Sequence, residues 1–232
     1  MSALPQSSQA ALARAPSRWQ GKLIPTPSRG SLLARGLLGL FGWRVRFSGL
    51  AGAQGVLMVY PHTSNWDFVV GILAKWALGI QVRFWGKASL FRVPVFGPWL
   101  RWLGGVAVNR GNSGGLVADT VAQMRAARER GAMFWLAVAP EGTRSLTSGW
   151  RSGAYHVAVQ AGVPIGLVTL DFGRRIVALT DYILPGGNAE ADFALIGQQL
   201  EGVRGCRPEL AGPVRLVEGK NKNESSSKAR RL

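Results

Sequence analysis

His62 and Asp67 have the side-chain types and the spacing to move a proton together. An imidazole exchanges protons near neutral pH, and a carboxylate that accepts a hydrogen bond from Nδ1–H points Nε2 outward and stabilises the imidazolium. A histidine held in this way can remove the proton of a hydroxyl group. Because the pattern H-x4-D is short, it also describes a histidine that caps a turn and an aspartate that caps a helix. The pair therefore predicts general-base chemistry, with a structural alternative.

The elements on either side of the histidine predict where it lies. An apolar segment over residues 56–60 precedes it and indicates a short buried strand. A second apolar stretch predicts a helix over residues 65–79, with Ser64 or Asn65 as its N-cap. Helical positions five apart point about 140° away from each other, so the histidine reaches the aspartate only from the loop before the helix. His62 is thus expected at the sheet edge where α/β proteins bind ligands.

A second polar cluster, Glu141–Arg144, follows a strand predicted over residues 133–139. Its glycine suits a tight loop that presents Arg144, and a guanidinium can bind a phosphate through two parallel hydrogen bonds, which lysine cannot do. Glu141 could orient that arginine or bind a hydroxyl group. The same four residues could also form a polar surface turn with a weak Glu–Arg ion pair.

The charge of the chain indicates an anionic partner. The 232 residues include 28 basic and 12 acidic ones, for a formal net charge of +16. Nucleic acid, a phospholipid surface or a phosphorylated ligand would each fit such an excess. Cys206 is the single cysteine, which excludes an intrachain disulfide and a cysteine-rich metal site and favours a reducing compartment.

Strands and helices alternate along the chain, which predicts an α/β fold: a single domain with a mostly parallel sheet flanked by helices. The length fits one folded domain, placed at residues 48–212. Residues 1–30 are expected to form a flexible basic arm, or equally a transit peptide, and residues 213–232 a basic disordered tail. The other predicted elements are strands 44–47, 81–85, 105–109, 164–171 and 175–180, helices 116–130, 152–161 and 189–203, and a helical segment 88–103 broken at Pro94 and Pro98.

Residues 31–47 are expected to lie at a membrane interface. Residues 31–43 are apolar apart from Arg35 and are too short to span a bilayer, and arginines flank them at positions 29, 44 and 46. Such a pattern is typical of a helix that lies on a membrane surface. A helix docked on the core of the protein itself would fit the pattern as well.

Four blocks, taken in order over about residues 55–180, resemble the glycerolipid acyltransferase family, which includes the 1-acylglycerol-3-phosphate acyltransferases. Four blocks in the right order are far more specific than any one of them. The blocks are His62-x4-Asp67, a middle block matched by Phe84–Leu90 and Leu103–Arg110, the cluster Glu141–Arg144, and Val163–Gly166.

The resemblance implies transfer of a fatty acyl group from a thioester, acyl-CoA or acyl carrier protein, to the hydroxyl group of a lysophospholipid, with 1-acylglycerol-3-phosphate as the default acceptor. No cofactor and no metal are implied. His62 would be the general base and Asp67 its orienting carboxylate. The implied substrate-binding residues are Lys87, Arg110, Glu141, Gly142, Thr143 and Arg144, of which Arg144 would bind the phosphate of the acceptor.

Two positions depart from the family pattern, because Ser89 and Asn109 stand where an acidic residue is usual. These departures bear on the acceptor and leave the chemistry unchanged. An anionic membrane surface is a further expected partner, and nucleic acid is not expected as one. The protein is expected to lie on the cytoplasmic face of a membrane, as a monotopic or peripheral protein.

Two other functions compete with this interpretation. Gly111–Gly115 matches G-x-S-x-G, the nucleophile motif of serine hydrolases, with Ser113 as the nucleophile. A hydrolase needs an acid and then a histidine downstream, but His156 is the only histidine there and Asp119 lies on the helix directly after the serine. The +16 charge and nine tryptophans would also suit a nucleic-acid-binding module, although no recognition motif is present.

Overall fold

The computed structural model of the chain describes residues 15–26, 28–108 and 113–217. The described strands are β1 (Ser17–Arg18), β2 (Arg44–Phe47), β3 (Gln54–Tyr60), β4 (Arg83–Lys87), β5 (Gly105–Val108), β6 (Phe134–Val138), β7 (Ile165–Asp171) and β8 (Ile176–Leu184). The described α-helices are α1 (Leu32–Leu40), α2 (Trp66–Leu78), α3 (Phe96–Trp102), α4 (Ser113–Glu129), α5 (Gly153–Ala161) and α6 (Ala189–Leu200).

The strands form one mixed sheet in the order β1-β8-β7-β3-β6-β4-β5, and β2 also pairs with β8. Strands β3 to β7 run parallel to one another, with Met58 opposite Val138 and Lys87 opposite Val108. Strand β8 is antiparallel to β7, as a connection of only four residues requires. The prediction of an α/β domain with a mostly parallel sheet is confirmed.

Helices cover both faces of the sheet, which is why its parallel strands are apolar along their length. Helices α4, α5 and α6 pack on one face, where Met124, Val157 and Ile196 are fully buried. Helices α1 and α2 pack on the other, and α3 joins them through contacts of Phe68 with Phe84 and Trp99. The carboxyl edge of the parallel strands is left for loops.

The structure differs from the sequence expectation at three places. Within the expected flexible arm, β1 pairs with β8 and Ile24 pairs with Leu50, so this part of the arm packs on the sheet. Within the expected disordered tail, Leu216 pairs with Trp150. The break expected at Pro98 is wrong, because this proline lies in the first turn of α3, where a helix needs no backbone N–H.

Helix α1 is docked on the protein itself and leaves one apolar face exposed. Its Ala34 and Leu38 are buried against α2, and the Arg35 guanidinium donates a hydrogen bond to the Ala77 carbonyl. Its other face is exposed and apolar, since Leu32, Leu33 and Leu40 are each at least 74% exposed. In the part of the chain that the structure describes, no helix is long and apolar enough to cross a membrane.

Candidate active site

The structure brings His62 and Asp67 together as the sequence predicted. Nδ1 of His62 lies 3.2 Å from Oδ2 of Asp67, and the side chains are 21% and 1% exposed. His62 follows β3 in the loop before α2, while Asp67 is the second residue of that helix. The buried carboxylate thus faces one ring nitrogen, and the partly exposed ring leaves the other nitrogen available to a ligand.

The aspartate also shapes the loop that carries the histidine. Its Oδ2 accepts hydrogen bonds from the backbone N–H groups of Thr63 and Ser64, each at 2.7 Å. Asn65 occupies the N-cap position of α2 but makes no capping bond through its side chain. Asp67 therefore fixes the turn and the ring of His62 at the same time.

Glu141 reaches the same loop from the neighbouring strand. It follows β6, is 2% exposed, and its Oε2 accepts a hydrogen bond of 2.6 Å from the backbone N–H of His62. Its Oε1 accepts one of 2.8 Å from the N–H of Gly212. Burial raises the pKa of this carboxyl above its ordinary value. Glu141 therefore binds backbone N–H groups. These contacts do not show either of the two roles expected for it, which were orienting Arg144 and binding a hydroxyl group.

Two of the three basic candidates, Lys87 and Arg144, belong to or follow strands that end at the same edge. Strands β3, β6, β4 and β5 are adjacent and parallel, so the loops after them meet at their carboxyl ends. Lys87 ends β4, and Arg144 lies in the loop after β6; both are exposed. Arg110 comes two residues after β5 but lies outside the described residues. The topology therefore brings Lys87 and the loop that carries Arg144 to the same edge of the sheet as His62.

The loop that carries Arg144 is a tight one. Gly142 has φ of +67°, a left-handed conformation that favours glycine, and a Cβ at this position would come within 2.5 Å of Nε of Arg151. Thr143 accepts a hydrogen bond of 3.3 Å from the Ser145 N–H through its hydroxyl group. Thr143 and Arg144 therefore lie in a compact turn directly after Glu141, whose carboxylate is held by two backbone hydrogen bonds.

An apolar cavity of about 200 Å³ opens beside the pair of residues. It lies between α2 and the sheet, is bounded by His62 and Asp67, and extends along the helix to Leu78. Helix α2 rises about 17 Å between Asp67 and Leu78. The lining includes Leu57, Phe68, Gly71, Ile72, Ala137 and Val168. The cavity is thus an apolar space along α2 that includes the His62–Asp67 pair in its lining.

The candidate residues of the hydrolase alternative belong to α4 and α5. No group of three or more potential metal ligands occurs among residues 15–26, 28–108 and 113–217. Ser113 begins α4, but its side chain and the preceding Gly111 and Asn112 lie outside the description. His156 and Asp119 are exposed on α5 and α4, and the His156 ring rests against Tyr155.

Sequence reasoning missed three residues of this site. Thr63 accepts a hydrogen bond from the Arg207 N–H, and the Gly212 N–H donates one to Glu141. Each of these partners lies far away in sequence, so no local pattern marks the contact. Gly71 lines the cavity, and a Cβ added there would meet nothing within 4 Å. A single glycine inside an apolar helix is a signal for such a role.

The fold and the site are those of an α/β protein that holds a carboxylate-oriented histidine at the mouth of an apolar cavity. The family model described as "Acyltransferase" matches residues 44–170. Because this match covers more than half of the chain, the chain belongs to the Acyltransferase family. The matched range contains every candidate residue of the His62 and Arg144 loops.

Several curated proteins named 1-acyl-sn-glycerol-3-phosphate acyltransferase are similar to the chain. That of Salmonella typhimurium is 32% identical over 133 residues, which are 54% of this chain and 52% of that protein. That of Escherichia coli is 33% identical over 136 residues, with the same coverage of 54% and 52%. The chain thus spans about half the length of the curated relatives that it matches.

One solved structure is also similar. The crystal structure of the 1-acyl-sn-glycerophosphate (LPA) acyltransferase, PlsC, from Thermotoga maritima matches at 17% identity with a TM-score of 0.44. The match covers 72% of this chain and 73% of that one. Family membership rests on the sequence match to residues 44–170.

Proposed function

We propose that this protein transfers a fatty acyl group from a thioester donor, acyl-CoA or acyl carrier protein, to the free hydroxyl group of 1-acylglycerol-3-phosphate. The single observation that carries the proposal is the His62–Asp67 pair at the mouth of the apolar cavity. The pair supplies a base for a hydroxyl group, and the cavity supplies room for an acyl chain. Family membership and the printed names of the relatives support the substrate class.

The proposed reaction has two steps. Nε2 of His62 takes the proton of the acceptor hydroxyl group as its oxygen forms a bond to the thioester carbonyl carbon. The tetrahedral oxyanion then collapses, the carbon–sulfur bond breaks, and the imidazolium returns its proton to the leaving thiolate. Asp67 holds the ring and stabilises the imidazolium formed between the steps.

The phosphate of the acceptor is proposed to bind at the basic edge. Arg144 would bind it through two parallel hydrogen bonds, with Thr143 adding one, while Lys87 and Arg110 contribute positive charge. Strands β6, β4 and β5, which precede or carry these residues, are adjacent and parallel and so end at the same edge of the sheet, which supports this assignment. Glu141 and Gly142 shape the loop: Glu141 bonds to backbone, and Gly142 takes the left-handed turn.

The acceptor and the product are lipids, and we propose that the protein meets them on the cytoplasmic face of an anionic membrane. Helices α1 and α3 flank α2, and the exposed outer side of this layer is apolar. The exposed apolar side chains of α1 are Leu32, Leu33, Leu37 and Leu40, and Phe41 follows the helix. Those of α2 are Trp66 and Val69, and those of α3 are Phe96, Trp99 and Trp102. Asp67, which is buried, is the sole acidic residue among the first 118, so this side also suits anionic lipid.

The proposed activity is tested with purified protein, a labelled acyl thioester and a panel of acceptors. We expect label to pass to 1-acylglycerol-3-phosphate and more slowly to a monoacylglycerol, which has the hydroxyl group but no phosphate. Hydrolysis of the thioester without transfer to any acceptor would support the hydrolase alternative. Salt-sensitive binding to polynucleotide with no thioester turnover would support the nucleic-acid alternative.

A further inference from the structure

The last described segment of the chain, residues 203–217, crosses the carboxyl edge of the sheet, and we call it the C-terminal strap. It bonds to the loop after β7, where the Phe172 N–H donates to the Arg204 carbonyl at 2.8 Å. It bonds to the loop after β6, where Trp150 exchanges hydrogen bonds with Arg215 and Val217. The strap therefore joins loops that belong to separate strands.

Two contacts of the strap reach the loop that carries the proposed base. The Arg207 N–H donates to the hydroxyl oxygen of Thr63 at 3.1 Å, and Thr63 is 1% exposed. The Gly212 N–H donates to Oε1 of Glu141 at 2.8 Å, while Oε2 of the same carboxylate accepts from the His62 N–H at 2.6 Å. The strap thus contacts both His62, through Glu141, and its neighbour Thr63.

The strap approaches these loops more closely than a side chain at its glycines would permit. A Cβ at Gly205 would lie 2.8 Å from the hydroxyl oxygen of Thr63. A Cβ at Gly212 would lie 2.5 Å from the hydroxyl oxygen of Thr147, with its next neighbours at 3.4 and 3.5 Å. The Thr147 hydroxyl group is therefore the single group with which a methyl group at Gly212 would clash.

We propose that the C-terminal strap is a positioning element for His62, acting through Glu141 and Thr63 to hold the backbone of the proposed base. This inference rests on the proposed acyl transfer. The strap lies outside residues 44–170, which the family model matches, so it adds a part to the site that the four sequence blocks do not contain. A buried carboxylate that joins two distant backbone N–H groups fixes their separation, because each oxygen has one partner.

The inference is tested with one substitution that displaces the strap and a second substitution that relieves the displacement. Gly212→Ala places a methyl group against the Thr147 hydroxyl group, and Thr147→Ala removes that hydroxyl group. We expect Gly212→Ala to lower kcat by about 10- to 100-fold, since small displacements of a reacting group cost rates of this size. We expect the KM values of both substrates to change little, and the double variant Gly212→Ala with Thr147→Ala to recover most of kcat.

Two controls accompany these variants. Thr147→Ala alone should keep kcat near the wild-type value. Gly197→Ala on α6 should do the same, because its added Cβ would meet only the Cβ of Val214, at 4.0 Å. Circular dichroism and thermal unfolding establish that each variant is folded. Should Gly212→Ala not fold, Thr63→Val serves in its place, because it keeps the side-chain shape and removes the acceptor of the Arg207 N–H.

Hydrogen exchange gives a readout that does not depend on activity. We expect the His62 and Thr63 amides to exchange faster in Gly212→Ala and to regain protection in the double variant. A wild-type protein that transfers no acyl group would refute the proposed function, while the exchange data would still decide the role of the strap. Wild-type kcat and unchanged His62 protection in a folded Gly212→Ala variant would overturn the inference.

Discussion

At the scale of single residues, two carboxylates hold His62 from different sides. Asp67 contacts the ring and also binds the Thr63 and Ser64 N–H groups, so it couples the ring to the turn. Glu141 binds two backbone N–H groups and couples the histidine to the neighbouring strand and to the strap. Asp67 thus holds the ring together with the turn that follows it, whereas Glu141 holds the backbone of His62 itself, so removing either carboxylate should affect a different property of the site.

A pH-dependent change in stability is expected for Glu141→Gln. Burial raises the pKa of Glu141 above 4.5, its ordinary value, so the folded protein binds this proton more tightly than the unfolded chain. The resulting stabilisation is complete below the unfolded pKa and is lost as the pH rises through the folded pKa. Glutamine does not titrate. The free energy of unfolding of the wild type minus that of the variant should therefore fall as the pH rises above about 4.5 and then level off. Urea unfolding at a series of pH values measures it, and a difference that rises with pH would contradict the assigned direction.

Arg144→Lys should weaken binding of the acceptor and spare the donor. Lysine keeps the charge but cannot form the two parallel hydrogen bonds to a phosphate. Because a hydrogen bond to a charged group contributes about 1.5–3 kcal/mol, we expect a rise of roughly 10- to 100-fold in the acceptor KM. A monoacylglycerol acceptor, which lacks phosphate, should be unaffected and is the matched control. Steady-state kinetics with both substrates varied would show instead a raised donor KM if Arg144 binds the phosphates of CoA.

At the scale of elements, three parts of α2 contribute to the site. Its first turn carries Asp67, its inner side lines the cavity with Phe68, Gly71 and Ile72, and its outer side is apolar. Lys75, the other charged residue of the helix, is half-buried, and burial lowers its pKa. A helix with so few polar positions needs cover on several sides, which α1, α3 and the sheet provide only in part.

Gly71→Phe should shorten the acyl chains that the protein accepts. Gly71 lies one helical turn after Asp67 and borders open space in the cavity, so a phenyl ring there would occupy the path of the chain. Helix α2 should tolerate the change, because phenylalanine has a higher helix propensity than glycine, by about 0.5 kcal/mol. We expect rates with long acyl thioesters to fall at least about 10-fold relative to short ones. Gly71→Ala is the matched control, and equal loss for all chain lengths would place the acyl chain elsewhere.

The sequence predicted those parts of the structure that depend on neighbouring residues. Strand β3, the loop at His62 and helix α2 follow one another, so apolar runs and spacing were enough to place the histidine beside Asp67. Glu141 comes 79 residues after His62, and its backbone partners could not be read from any local pattern. The same reason explains the packed part of the expected arm, since β1 pairs with β8 across most of the chain. Pro98 was misjudged because its effect depends on where α3 begins.

At the scale of the whole molecule, charge and apolar surface are distributed unevenly. The acidic residues other than Asp67 all lie at or after position 119. The earlier part of the chain supplies α1, α2 and α3, whose outer sides carry exposed leucine, phenylalanine and tryptophan side chains. An anionic bilayer would match both properties at once, and it would present lipid substrates beside the loop that carries His62.

Exchanging apolar for acidic side chains on α1 should release the protein from membranes. Leu33 and Leu40 are 74% and 78% exposed, and burying such a side chain contributes about 1.5–3 kcal/mol, so Leu33→Asp with Leu40→Asp should lower partitioning at least about 100-fold. Ala118→Asp with Ala122→Asp, at two exposed positions on α4, adds the same charge on the other face of the sheet and should bind as the wild type does. Flotation with anionic vesicles measures the partitioning. If the wild type does not float with the vesicles, the proposed membrane surface is wrong.

The proposed general base is tested most directly by the acyl-transfer rate of His62→Ala, measured with a labelled acyl thioester and 1-acylglycerol-3-phosphate. Loss of a general base removes about 10²-fold or more of the rate, so we expect at least this loss in a variant that remains folded. His156→Ala, which removes the second histidine, should retain the wild-type rate. A His62→Ala variant with wild-type turnover, together with loss of turnover in Ser113→Ala, would contradict the account and assign the chemistry to the serine.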